Sequence, residues 1–184
     1  MATITPSSWT VSNPSSTTMP VSISQTSVSW GRTPREQVGY NKAYVTIDTN
    51  KYKSITLNYG AGWQTGENTT IQFGVFNNNT YDSESGTSKI LTRNEKGSAT
   101  INFFNSNNER IISGEKYMGF FFWGNGWILN SEGYYEAEGT KPITSITAVL
   151  ATYTLTYNAN GGSGAPSKVS NITSTNIAST VPIR

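Results

Sequence analysis

Apolar and polar residues alternate strictly along much of this chain, and nowhere does an apolar stripe repeat at helical spacing. Ala43, Val45 and Ile47 share one face opposite Tyr44, Thr46 and Asp48, and Ile55, Leu57 and Tyr59 oppose Ser54, Thr56 and Asn58. The same phase holds for Ile71, Phe73 and Val75, for Ala99, Ile101 and Phe103, and for Tyr153, Leu155 and Tyr157. Successive side chains of a strand point to opposite sides, so each set describes a strand with one buried face and one wet face. Weaker runs near 9–13, 21–30, 87–92, 133–138 and 143–150 bring the total to about ten short strands separated by turn residues. That spacing predicts an all-β, antiparallel sandwich or barrel over residues 1–150.

One stretch breaks the pattern. Tyr117, Met118, Phe120, Phe121, Phe122 and Trp123 put apolar groups on both faces, as expected of a central strand within 117–129 that is covered on both sides. Gly124-Asn125-Gly126 follows, and residues that tolerate positive φ at this point predict a tight hairpin turn flanked by Trp123 and Trp127. Residues 13–20, NPSSTTMP, read as a flexible segment, and a shift in composition near 151 marks a boundary between a domain of residues 1–150 and a segment of residues 151–184.

Composition narrows the function. Ser, Thr and Asn make up 68 of 184 residues while charged residues are only 13%, so water is met mainly by hydroxyls and amides. The aromatic share of 12% supplies core anchors and argues against disorder. With no His and no Cys, the chain cannot form a Ser-His-Asp or Cys-His nucleophilic site or a zinc site of Cys and His. A formal charge of +2, dispersed along the chain, offers no basic stripe for nucleic acid. The longest apolar run, 118–129, is short and interrupted by Gly and Asn, so no membrane insertion is expected. The residues after Met1 lack the basic and apolar regions of a secretory signal.

Aromatic residues beside Gly-rich turns are the strongest site candidates: Trp63, Trp123, Trp127, Tyr134 and Tyr135. A sugar ring has an apolar C–H face and polar edges, so exposed rings next to Asn, Gln and Glu give stacking with hydrogen bonds, while the same rings serve equally as core or cross-strand packing. Glu132, Glu136 and Glu138 lie close together in sequence, as two-carboxylate glycoside hydrolysis requires, although a solvated acidic loop explains them more simply. Asp82 and Glu84 offer oxygen ligands but not the spacing of a calcium loop. Arg32, Arg35 and Glu36 read as surface charge, and the Asn-x-Thr triplets at 68, 78 and 171 carry no function in so Asn- and Thr-rich a chain. No catalytic residue, metal site or cofactor is expected.

The C-terminal segment TYTLTYNANGGSGAPSKVSN resembles the opening of an internalin-type B repeat, also called the Listeria-Bacteroides repeat. Tyr153, Leu155 and Tyr157 match its strand, Asn158-Ala159-Asn160-Gly161-Gly162 its turn, and Gly164-Ala165-Pro166 the segment after it. Val181-Pro182-Ile183-Arg184 resembles its later Pro-x-Arg segment, and about 33 residues are too few to bury a core alone, so an incomplete module is expected. The resemblance implies a spacer or adhesion role, as in bacterial surface proteins and bacteriophage fibres. Residues 1–150 look diffusely like the jelly-roll or carbohydrate-binding-module sandwiches of phage appendages. Together with the missing signal, this gives the expectation of a virion structural protein, a tail or head fibre-like appendage. Its expected partners are other virion proteins, host-surface polysaccharide and further copies of the same chain, as a trimer. A bacterial cell-surface adhesin is the alternative, and a glycan hydrolase the second.

Overall fold

A computed structural model describes residues 1–62, 69–125, 138–156 and 167–172. Thirteen strands are found there, in chain order β1 Ala2–Thr3, β2 Thr10–Val11, β3 Val21–Ile23, β4 Ser27–Trp30, β5 Val38–Asp48, β6 Tyr52–Tyr59, β7 Thr69–Phe76, β8 Gly86–Ile90, β9 Gly97–Asn102, β10 Glu115–Asn125, β11 Gly139–Leu150, β12 Tyr153–Leu155 and β13 Val169–Ile172. A single 3-10 turn, Thr49–Lys51, joins β5 to β6 and is capped by Asp48, whose carboxylate accepts from the Asn50 N–H at 3.0 Å. Among the described residues no helix is long and apolar enough to cross a membrane.

The pairs are antiparallel and form two main sheets. One runs β3-β4-β11-β6-β9, with β1 also on β11, and the other runs β2-β5-β10-β7-β8. The fold is an all-β sandwich, as the alternation predicts. Its core is made by the inner faces: Ile55, Leu57, Ala99, Ile101, Ile146 and Ala148 from the first sheet meet Ala43, Ile71, Phe73, Met118, Phe120 and Phe122 from the second. Rings interlock there, with Phe120 5.5 Å from Phe73 and 5.8 Å from Trp9 between centroids. Burial of such side chains stabilises by about 1.5–3 kcal/mol each and is the main force closing the sandwich.

Residues 13–20, expected from composition to be flexible, are anchored to the sandwich at Asn13 and Met19. Met19 is fully buried, its N–H donates to Ser16 Oγ at 3.0 Å, and the Asn41 amide donates to the carbonyls of Asn13 (3.0 Å) and Met19 (2.9 Å). A buried Asn finds its hydrogen-bond partners in the backbone of this segment, and Pro/Ser content does not reveal such an anchor. The run 21–30 is two strands, because Ser24 Oγ accepts from the N–H groups of Thr26 and Ser27 and turns the chain.

β12 and β13 pair with each other in a separate two-stranded sheet. The Tyr153 hydroxyl donates to the Asn50 carbonyl at 2.9 Å and accepts from Arg110 at 3.0 Å. Arg110 also donates to the carbonyls of Thr49 and Ile112 and lies 4.4 Å from the centroid of Phe104. This guanidinium gathers carbonyls left over where strands end, and through it Tyr153 is fastened to the sandwich.

Candidate functional site

The central strand β10 is covered on both sides, and its two sides differ. Met118, Phe120 and Phe122 face the core, while Tyr117, Gly119, Phe121 and Trp123 face outward. The registers with β5 and β7 place these in rows across the outer face: Tyr40–Trp123–Thr70, then Lys42–Phe121–Gln72, then Tyr44–Gly119–Gly74, then Thr46–Tyr117–Phe76. A water-facing sheet surface needs none of these rings. Tyr40 packs on Phe121 at 6.3 Å, Phe76 on Phe121 at 6.4 Å, and Tyr44 meets Tyr117 edge-on at 5.2 Å.

The connection between β7 and β8, residues 77–85, folds over this face and explains a buried cation within it. Lys42 has no exposed surface; its ammonium donates to the backbone and side-chain oxygens of Asn78 at 3.1 and 3.3 Å and stands 4.7 Å from the centroid of Phe76. Burial lowers its pKa from 10.5 to about 8, against an opposing pull from Asp82. The charge is tolerated because two acceptors and ring faces replace the lost water. Asn79 donates to the Tyr44 hydroxyl at 3.2 Å, Asn78 donates to Ser83, and the Asn77 N–H closes the loop onto the Ser85 carbonyl at 2.8 Å.

Between this loop and the sheet lies a cleft of about 340 Å³ lined by Tyr40, Thr70, Gln72, Phe121 and Trp123 from the strands and by Asp82 and Glu84 from the loop. Phe121 is a buried floor, while Tyr40 and Trp123 are half-exposed walls. Glu84 is held in place by a relay in which Ser88 donates to the Gln72 amide oxygen and the Gln72 amide nitrogen donates to Glu84. Asp82 and Glu84 are both exposed and neither takes part in an ion pair among the described residues. On the far side of the loop, Tyr44, Tyr81, Asn79 and Asp82 border a second cleft with Thr10 and Ser12 from the β2 strand region.

Of the five aromatic candidates, Trp123 is a wall of the cleft; Trp63, Trp127, Tyr134 and Tyr135 lie outside the described residues. Trp123 is not at the base of a hairpin turn. β10 continues through Gly124 and Asn125, and Trp123 is paired on both edges, with Tyr40 and with Thr70. Gly124 is needed for close approach instead of a turn, since a Cβ there would stand 2.2 Å from Thr33 Oγ1 and 3.3 Å from Met19 Sδ. Of the acidic cluster, Glu138 is exposed, and Glu132 and Glu136 lie outside the described residues. Arg35 pairs with Glu36 at 3.2 Å on the surface. Sequence patterning misses Tyr40, Phe121 and Gln72 as one site, because cross-strand register brings them together; their shared outward phase was the available signal.

The fold and this cleft define a β-sandwich with a ligand-sized aromatic groove on one sheet face. No protein-family model matches the chain, and no curated protein or solved structure matches it either.

Proposed function

We propose that this chain is a non-catalytic glycan-binding sandwich carried on an attachment structure, a bacteriophage tail or head fibre-like appendage. The observation that carries the reading is the row of outward rings, Tyr40, Phe121 and Trp123, in a cleft whose remaining lining is hydroxyl, amide and carboxylate. Rings supply stacking for the C–H face of a sugar, and Thr70, Gln72, Asp82 and Glu84 supply partners for its hydroxyls. The low charge and the B-repeat-like C-terminal segment support placement on an appendage, with other structural proteins as neighbours. Binding is preferred to hydrolysis because two-carboxylate hydrolysis sets one of its carboxyl groups in an apolar, water-poor pocket, whereas Asp82 and Glu84 both stand exposed.

The test measures affinity for host cell-wall polysaccharide and melting temperature for Trp123→Ala and Tyr40→Ala. Loss of a stacking ring is expected to weaken binding about five- to thirty-fold with little change in melting temperature. Unchanged binding by both variants overturns the site. Mass spectrometry of purified virions tests the placement, and presence of the chain only in the bacterial envelope would favour the adhesin alternative.

A further inference from the structure

The charge pattern of the cleft narrows the ligand. We propose that the site selects glycans bearing free amino groups, held as ammonium ions between the carboxylates of Asp82 and Glu84 and the faces of Tyr40 and Trp123, and that it rejects acidic sugars. This deepens the glycan-binding reading and rests on it. Among the described residues, the lining of the cleft includes two carboxylates and no Lys or Arg. The Lys42 ammonium stands 6.0 Å from the ring centroid of the floor residue Phe121 but spends its hydrogen bonds on Asn78 and does not line the cleft. Its charge and that of Asp82 attract through space, which offsets part of the field of the two carboxylates.

An ammonium group gains twice here. It donates charge-assisted hydrogen bonds to carboxylates that have no ion-pair partner among the described residues, and it is attracted to the negative faces of half-exposed rings. Glu84 is positioned for this before any ligand arrives, since Ser88 and Gln72 fix it. A uronic acid or phosphate-bearing sugar meets the same two carboxylates with like charge, so exclusion is built in along with attraction. Because the rim is open to solvent, the preference is moderate and is screened by salt.

The experiment titrates the full chain at low ionic strength with three probes: a chitosan oligomer with free amines, the same oligomer fully N-acetylated, and an oligogalacturonate. The chitosan oligomer is expected to bind roughly five-fold or more tighter than its acetylated form, and oligogalacturonate not measurably. Raising salt should erase the difference between the first two. Asp82→Asn and Glu84→Gln, which preserve shape, should also erase the preference for the free-amine oligomer over its acetylated form. Equal binding of the two chitin-type oligomers, or tight binding of oligogalacturonate, overturns the charge selection and leaves the glycan-binding reading standing. Binding to none of the three overturns the charge selection, and unchanged binding of host cell-wall polysaccharide by Trp123→Ala and Tyr40→Ala overturns the glycan-binding reading of the cleft itself.

Discussion

The outer faces of the two sheets are built from the same kind of strand and look nothing alike. On the first sheet, Thr3, Thr147, Thr56 and Thr100 form one row across four strands, with Ser145, Asn58 and Ser98 in a second. Neighbours there bond side chain to side chain: Thr56 with Thr100 at 2.9 Å, Asn58 with Ser145 at 2.9 Å, Ser29 with Thr140 at 2.8 Å. On the second sheet the equivalent positions hold Tyr40, Lys42, Tyr44, Phe121, Trp123 and Phe76. A β-branched hydroxyl face satisfies water and strand preference at low cost, and it shows what this fold requires of an outer surface. The aromatic face exceeds that requirement. Part of the excess is used to seat the 77–85 loop over Lys42, and the remainder is the cleft.

The two faces should therefore respond differently to the smallest of changes. On the aromatic face, Gly119→Ala adds one methyl group that would stand 2.0 Å from the Ala43 carbonyl oxygen, a backbone atom that cannot move without shifting β5. Its expected cost is about 2–4 kcal/mol, read as a lower urea midpoint, with loss of binding in step. An unchanged midpoint would mean that β5 and β10 separate easily and that the cleft is not rigid.

A second measurement sharpens the account of the loop. Lys42 has a folded-state pKa lowered from 10.5 to about 8. Below that window the lysine is charged in both states, and within it the unfolded chain binds more protons, so stability rises with pH from about 8 to 10.5. Lys141 contributes in the same direction, since burial lowers its pKa where it donates to the carbonyls of Thr92 and Glu95. The difference in unfolding free energy between wild type and Lys42→Met should accordingly move in favour of wild type as pH increases through the window. A flat difference would place Lys42 in water in solution and detach the loop from the face.

The smallest effect belongs to the hydroxyl face. Thr100→Val removes the bond to Thr56 at an exposed position while keeping the branched shape, and should change stability by no more than about 0.5 kcal/mol, with binding unaffected. A larger loss, or any loss of glycan affinity, would break the division of labour between the faces.

The inner faces were legible in sequence almost residue by residue: Ile55, Leu57, Ile71, Phe73, Ala99, Ile101 and Phe103 are all buried on the side that alternation assigns. Period two is a local property, so a few adjacent residues suffice to state it. The same logic marked β10 as central, because apolar groups on both sides of a strand require cover on both sides. Gly124 shows where local reasoning fails. The glycine that signals a turn when read alone is the one that admits Thr33 and Met19 when the chain is folded.

What the sequence by itself determined is the all-β class, the identity of the core and the absence of His and Cys chemistry, since composition and period need no partner strand. The tertiary structure alone decided that Tyr40, Phe121, Trp123 and Gln72 share one cleft, that Lys42 is buried beneath Asn78, and that Asp82 and Glu84 face the rings. Those outcomes depend on strand register and on where a loop comes to rest, and both are set by contacts between residues far apart in the chain.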